Sequence, residues 1–450
     1  MVRLTRRGFA RGLGAAGLGL LGLPVVARAQ GSARIVIVGG GAGGATVAAL
    51  LKHGAPELDV TLIETRAAYT TCFQSNMYLG GFKSFGSLVQ SYDGLRALGV
   101  RVVTEAATDV DTAAKTVKLG HGKLVAYDRL VLSPGVTLKL DAIEGYSAGA
   151  AELMPHAWNA GPQTQLLKRQ LAGMRNGGTV VMAVPALPYR CPPAPYERAC
   201  MIAHYLKTHK PNSKIVILDA KRSYIKQALF EDAFSTLYKG MIEVALTDEI
   251  DDNTVVRVDA GTGEVETKSG RKIIADVANI IPPQRAGDIA AKAGCTTGEW
   301  CQVKLDSFKS DSVADVYVLG DSASAPDMPK SAYSANSQAK VVAADILADV
   351  AGKERDPARY ANSCWSMLGP GESVKIGAHY EPGLKDGKPA LVASGMFISA
   401  SGESAAVRKR THDEAAAWYE AITNEAFPKA VAAPEPEAGE PRPRRRRLRG

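Results

Sequence analysis

The chain has no C-x-x-C pair among its six cysteines, at 72, 191, 200, 295, 301 and 364. That excludes the common zinc spacings and a thioredoxin-like dithiol. It has no C-x-x-C-H, so it attaches no c-type haem of its own. Beyond the N-terminal segment, itself too short and glycine-rich to span a bilayer well, no run of about eighteen apolar residues occurs, so a soluble mature chain is expected. Charge of one sign is also scarce in the body. The formal net charge of +8 sits at the two ends: residues 1–29 hold five Arg and no acid, and residues 434–450 hold six Arg against three Glu. Residues 30–433 are therefore neutral overall, which removes the electrostatic footprint of a nucleic-acid binder. Aromatic residues make up only 6% of the 450-residue chain, against 46% hydrophobic. A chain of that length and composition implies two or three globular domains.

One glycine cluster stands out. Ile35-Val36-Ile37-Val38 runs into Gly39-Gly40-Gly41-Ala42-Gly43-Gly44, and an apolar helix-like stretch, Ala45 to Leu51, follows. Gly39, Gly41 and Gly44 have the G-x-G-x-x-G spacing. The pattern predicts a buried parallel strand, a tight turn, and a helix whose free N–H groups, from Ala42 onward, meet a pyrophosphate. Glu64 ends the next strand, Asp59 to Ile63, where a carboxylate should bind ribose hydroxyls. The motif alone does not choose between FAD and NAD.

The body repeats this plan without repeating the loop. Strands are expected at Thr179 to Val184 and at Lys214 to Leu218, ending in Asp219, with a helix over 194–208 between them. The turn between them reads Pro185-Ala186-Leu187-Pro188-Tyr189-Arg190-Cys191-Pro192-Pro193-Ala194-Pro195. Proline has no N–H to offer a phosphate and its ring keeps backbone away, so a second nucleotide is not expected there. Cys191 beside Arg190, at a strand-to-helix turn, should favour thiolate, and Glu197 could reach back as a proton acceptor. Cys200 reads as a buried small hydrophobe, and Cys295 with Cys301 as a structural disulfide. Farther on, a strand over Val313 to Leu319 ends in Gly320-Asp321, where two-domain flavoproteins bind the ribityl chain of FAD. Lys330 and Ser331 precede a helix over Ser334 to Val350 whose N-terminus would face the flavin ring. Residues 356–431, with Cys364-Trp365 and Trp418-Tyr419, read as a β-rich third domain.

The ends are processing and tail segments. Thr5-Arg6-Arg7-Gly8-Phe9, an uncharged run from Gly12 to Val26, and Ala27-Arg28-Ala29 form a twin-arginine signal peptide with a cleavage site,. Residues 432–450 are Pro, Glu and Arg and are expected to be disordered.

Four blocks carry a family resemblance. They are Tyr69-Thr70-Thr71-Cys72 with Ser75-Asn76, Arg190-Cys191-Pro192-Pro193-x-Pro195-Tyr196-Glu197-Arg198, Ile281-Pro282-Pro283-Gln284-Arg285-Ala286-Gly287, and Met328-Pro329-Lys330-Ser331-x-Tyr333-Ser334-Ala335-Asn336-Ser337-Gln338. From about residue 32 to 428 the chain resembles the flavoprotein subunit of flavocytochrome c sulfide dehydrogenase, including the related periplasmic flavoprotein of the thiosulfate-oxidising (Sox) gene cluster. The resemblance implies an α/β fold of the glutathione-reductase type: an FAD domain at 32–144 and 281–355, a second Rossmann-like domain at 145–280, and an α+β interface domain at 356–431. It implies FAD held by Gly39, Gly41, Ala42, Gly44, Glu64, Asn76, Asp321, Lys330 and Ser331, and joined covalently to Cys72. It implies a redox disulfide between Cys191 and Cys364, with Glu197 near it, no metal, and sulfide as substrate. The third domain would dock a c-type cytochrome subunit as a heterodimer in the periplasm, without stable membrane insertion. Two other readings stand beside it: a sulfide:quinone oxidoreductase, and an accessory flavoprotein that reactivates partner proteins. An NAD-linked disulfide reductase is opposed by the missing second glycine loop.

Overall fold

The computed structural model describes residues 33–246 and 248–430. The signal peptide and the arginine tail expected from the sequence lie outside these residues. The β-branched run before the glycines forms the centre of a five-stranded parallel sheet. Its order is Val316–Val318, Arg129–Leu132, Arg34–Val38, Asp59–Glu64, Arg101–Thr104. Ile35, Val36 and Ile37 are buried, as expected for a strand covered on both faces,. Helices Ala42–Gly54 and Ala332–Ala351 pack on the sheet and on each other. The last strand of this sheet comes from far along the chain, so the unit is discontinuous in sequence.

A second parallel sheet repeats the plan, in the order Ile242–Ala245, Lys214–Asp219, Thr179–Val184, Val277–Ile280. Each parallel sheet is accompanied by a three-stranded antiparallel one, over 107–126 and 255–274. A two-stranded ribbon, Val136–Leu138 against Gln284–Ala286, carries the chain out and back. Finally, an antiparallel sheet of Tyr360–Gly369, Glu372–Lys385 and Lys388–Ile398 is backed by helix Ala405–Ala426. This sheet packs on both halves: Tyr360 and Tyr380 join the first core, and Met367 and Leu368 the second. The α/β class with two Rossmann-like units and a C-terminal α+β unit is thus the observed one.

Local differences from the sequence reading have simple causes. The strand expected over Val313 to Leu319 shrinks to Val316–Val318. Asp315 is left-handed at φ 60° and its carboxylate is bound by Lys115 and Arg129, which ends regular extension there. The third unit is α+β as expected, and its helix is the part the β-rich pattern of residues 356–431 did not mark. Ser404 caps a 22-residue helix by accepting from the Val407 N–H, and an alanine-rich run carries it through Trp418 and Tyr419,.

The glycine spacing has steric reasons. Gly39 has φ +101°, and a Cβ on it would lie 2.2 Å from the Ser133 carbonyl oxygen. A Cβ on Gly44 would lie 2.0 Å from the Gly39 oxygen, because the helix rests directly on the turn. Gly44→Ala should therefore force helix and strand apart, at a cost of about 1–3 kcal/mol, and lower the flavin content of purified protein. A chemical-denaturation midpoint and flavin stoichiometry equal to wild type would refute this.

Candidate functional site

Two connected cavities lie where the three units meet. The first, about 310 Å³, runs along the glycine loop and is lined by Gly39, Gly41, Ala42, Glu64, Ser133 and Asp321, among others. The second, about 350 Å³, is an apolar chamber lined by Cys191, Cys364, Glu197, Met367, Trp365 and Trp418, among others. Cys72, Arg190, Ser331 and Ala332 line both, and so mark the junction.

The first cavity fits a dinucleotide. A Cβ on Gly41 would meet the Tyr69 ring at 3.5 Å, an ordinary contact, so the backbone there lines the cleft beside that ring. The Asp321 carboxylate has a buried Oδ1 with no hydrogen-bond partner. Burial raises its pKa, opposed by the charges of Arg190 and Lys330. An unpaired carboxylate oxygen in such a place asks for a hydroxyl donor. Glu64 closes the far end. Its Oε2 accepts from the Gly40 N–H at 2.8 Å and its Oε1 from the Thr65 hydroxyl at 2.9 Å. Ser331 caps the helix that points at the cleft, its hydroxyl accepting from the Ser334 N–H.

Two residues expected at the cofactor are placed differently. Lys330 turns away from the cleft. Its ammonium donates to the carbonyls of Asp321 (2.8 Å) and Ala323 (2.7 Å) and lies 3.9 Å over the Trp300 ring. It thereby fixes the Asp321 turn. Asn76 lines the chamber instead, where it donates to Glu197 at 2.8 Å and accepts from the Arg198 guanidinium at 3.0 Å.

The chamber brings Cys191 and Cys364 face to face from different units. Both are free thiols whose side chains interact, and the Cys364 Sγ donates to the Trp365 carbonyl at 3.8 Å. This corrects the sequence expectation about the thiolate. Interaction with the Cys364 side chain, then burial, push the Cys191 thiol well up. The same interaction, with Lys226 nearby, lowers Cys364 to about 7. The expected effect of Arg190 on Cys191 is a minor one. The guanidinium donates to the Trp158 carbonyl, and Cys72 and Asp321 are the foremost groups whose charge acts on it.

Glu197 is locked between units. Its Oε1 accepts from the Met367 N–H at 2.9 Å and its Oε2 from Asn76. Burial raises its pKa against those bonds. Beneath it, Arg198 is 2% exposed. It donates to Asn76, to Asn279 Oδ1 (2.9 Å) and to the carbonyls of His156 (3.1 Å) and Ala157 (2.8 Å). Arg198 was visible in the sequence only as part of a motif block. An aromatic wall of Tyr333, Trp365 and Trp418 closes one side, with ring centroids 5.3 Å apart for the tryptophans.

Three other cysteines stand away from this chemistry. Cys200 is fully buried, as expected of a small hydrophobe. Cys295 and Cys301 are fully buried free thiols in the first core, so the expected structural disulfide is not formed. Burial raises the thiol pKa of each, and they pack as apolar groups.

His156 offers a test of the shell around the chamber. Its Nδ1 accepts from the Trp158 N–H at 2.9 Å. Burial, then the charges of Arg198 and Arg190, lower it to about 4. A lowered folded-state pKa means that protonation opposes the fold. Stability should be full above the ordinary histidine value of about 6.5 and fall progressively towards pH 4, by at most about 3 kcal/mol. Denaturant midpoints across that window should be flatter for His156→Gln; an unchanged slope would exclude this residue.

The fold and the paired cavities define a flavoprotein of the disulfide-oxidoreductase class. Family profiles agree along the chain. Residues 33–172 match "Pyridine nucleotide-disulphide oxidoreductase", residues 164–282 "Sulfide dehydrogenase [flavocytochrome c] flavoprotein chain, central", and residues 356–427 "Flavocytochrome c sulphide dehydrogenase, flavin-binding". The "Sulfide dehydrogenase [flavocytochrome c] flavoprotein chain" of Chlorobaculum thiosulfatiphilum is 48% identical over 46 residues, 10% of this chain and 96% of that sequence. The chain belongs to the family of the flavocytochrome c sulfide dehydrogenase flavoprotein chain. It is also similar to the mitochondrial sulfide:quinone oxidoreductase of Dictyostelium discoideum, 23% identical over 70% of each chain. Among solved structures, the sulfide:quinone oxidoreductase of Aquifex aeolicus shares the fold, with a TM-score of 0.68 at 19% identity, covering 88% of this chain and 92% of that one.

Proposed function

We propose that this chain oxidises sulfide through a Cys191–Cys364 disulfide and FAD bound covalently at Cys72, and passes electrons to a c-type cytochrome subunit in the periplasm. The observation that carries the reading is the meeting of Cys191 and Cys364, from separate units, in a chamber that opens on the cofactor cleft at Cys72. In the oxidised protein, hydrosulfide attacks the disulfide. A new S–S bond leaves a persulfide on one cysteine while the broken bond leaves the other as thiolate. The apolar wall of Trp365, Trp418 and Met367 limits water around the reacting sulfurs,. Glu197, whose pKa is raised by burial, holds or takes the substrate proton,. Asp321 would bind the ribityl chain, Glu64 the ribose, and the N–H groups from Ala42 onward the pyrophosphate. FAD, when bound, takes up two electrons and hands them on singly.

The test is an anaerobic titration of holoprotein with sulfide while the flavin spectrum is followed. Stoichiometric bleaching is expected, and an unbleached flavin would sink the substrate. A second reading, transfer to a membrane quinone, is favoured by the sulfide:quinone oxidoreductase relatives. Among the described residues no helix is long and apolar enough to cross a membrane. Comparing cytochrome c with a short-chain quinone as acceptor, with and without residues 434–450, separates the two. Bleaching without steady-state turnover with either acceptor would favour the accessory role.

A further inference from the structure

Lys226 lies behind the chamber wall, bonded to the backbone of Cys364, and takes no part in the proposed reaction. It is 5% exposed and begins helix Gln227–Thr236 in the second Rossmann-like unit. Its ammonium crosses to the third unit, donating to the Cys364 carbonyl at 3.1 Å and the Ser366 hydroxyl at 2.7 Å. Among the described residues it forms no salt bridge within 4.0 Å, unlike Lys221 in the same unit, which is paired with Asp219. Its backbone is left-handed, φ 63° and ψ 26°, a conformation that disfavours residues with a Cβ and is found where other constraints dominate,. Cys191 is left-handed as well, at φ 53°. Two non-glycine residues in this conformation thus meet Cys364 from different segments, Lys226 at its carbonyl and Cys191 at its side chain.

We propose that Lys226 is a positioning residue whose charge keeps Cys364 as the anionic member of the reduced pair. The inference rests on the reading of Cys191 and Cys364 as the redox couple. A buried ammonium costs free energy unless a negative charge or strong acceptors compensate it. Carbonyl and hydroxyl supply two bonds, and the negative charges within reach are Glu197 and an ionised Cys364. The titratable groups acting on the Cys364 sulfur are Cys191, Lys226 and Glu197. Lys226 attracts negative charge there and Glu197 opposes it, while the thiol of Cys364, when protonated, donates to the Trp365 carbonyl at 3.8 Å and Cys191 interacts with it from the second unit. Protonated Cys191 and anionic Cys364 are therefore the arrangement with the lower electrostatic cost. An anion on the same sulfur after its disulfide opens, whether thiolate or persulfide, feels the same ammonium.

The test is the pH dependence of iodoacetamide alkylation in reduced holoprotein, read separately at Cys364 and Cys191 by peptide mass spectrometry. Wild type should alkylate first at Cys364. Lys226→Gln keeps a donor for Ser366 and for the Cys364 carbonyl but removes the charge. It should raise the Cys364 midpoint by about one pH unit or more, roughly a tenfold loss of thiolate, and Lys226→Arg should restore it. An unchanged midpoint in Lys226→Gln, or a midpoint in Lys226→Arg as high as in Lys226→Gln, overturns the proposal. If Lys226→Gln does not fold, Ser366→Ala decides. The charge remains there, so the midpoint should hold, and a rise as large as one unit would point to hydrogen bonding instead. The readout needs no sulfide turnover, so its failure is distinct from failure of the sulfide titration.

Discussion

Replacing Cys364 with serine should leave a folded, yellow protein that sulfide no longer bleaches. The serine hydroxyl is nearly the size of the thiol and can still interact with Cys191, so the chamber keeps its shape. It cannot form an S–S bond, and without that bond hydrosulfide has no electrophilic sulfur to attack. Cys191 alone cannot compensate, because it lacks an oxidised partner. The rate of sulfide-dependent flavin reduction should fall on the order of 10³-fold or more, as when a nucleophilic centre is removed from any concerted site. Flavin content and the denaturation midpoint should stay near wild type. Stopped-flow reduction by sulfide measures the first, and absorbance with unfolding curves the second. Rapid bleaching in Cys364→Ser would mean that sulfide reaches the flavin without the disulfide.

The second large effect is expected at Cys72. Flavin in the wild-type protein should remain with the polypeptide after acid precipitation. In Cys72→Ser it should appear in the supernatant essentially in full. The native variant should still bind FAD, because Gly41, Glu64 and Asp321 hold the dinucleotide without Cys72. Placement supports the link: Cys72 lines both the cleft and the chamber, and the Tyr69 hydroxyl lies 3.7 Å from its sulfur. Release of flavin by acid from the wild type would end the covalent reading and leave the rest of the site intact.

What could be read in advance followed the range of the interactions. Gly39, Gly41 and Gly44 were legible because their constraint is local: a turn, an approach and a packing contact within a few residues. The proline loop was legible for the same reason, since missing N–H groups are visible in the residue types. The Cys191–Cys364 meeting came only from resemblance, because no local rule joins the second unit to the third. Contacts made across the fold left no local trace. Asn76 bonding to Glu197, Arg198 reaching Asn279, and Lys226 reaching Ser366 each join residues far apart in sequence. The placement of the thiolate failed because the sequence showed Arg190 next to Cys191 but not where its side chain goes. The helix Ala405–Ala426 was hidden behind the strands before it, and Asp315 cut short a strand that its neighbours favoured.

The first parallel sheet has a consequence for the order in which the protein can be made. Its edge strand Val316–Val318, and the Asp321 turn that follows, emerge from the ribosome long after the glycine loop they serve. The intervening second sheet can complete itself first. The nascent chain therefore carries half a cofactor cleft for most of its synthesis, and flavin can be secured only once the final third has emerged. Contacts of such long sequence separation fold slowly. Chains interrupted anywhere before Asp321 would present the glycine loop with nothing to close it, and should be lost to proteolysis as cofactor-free fragments.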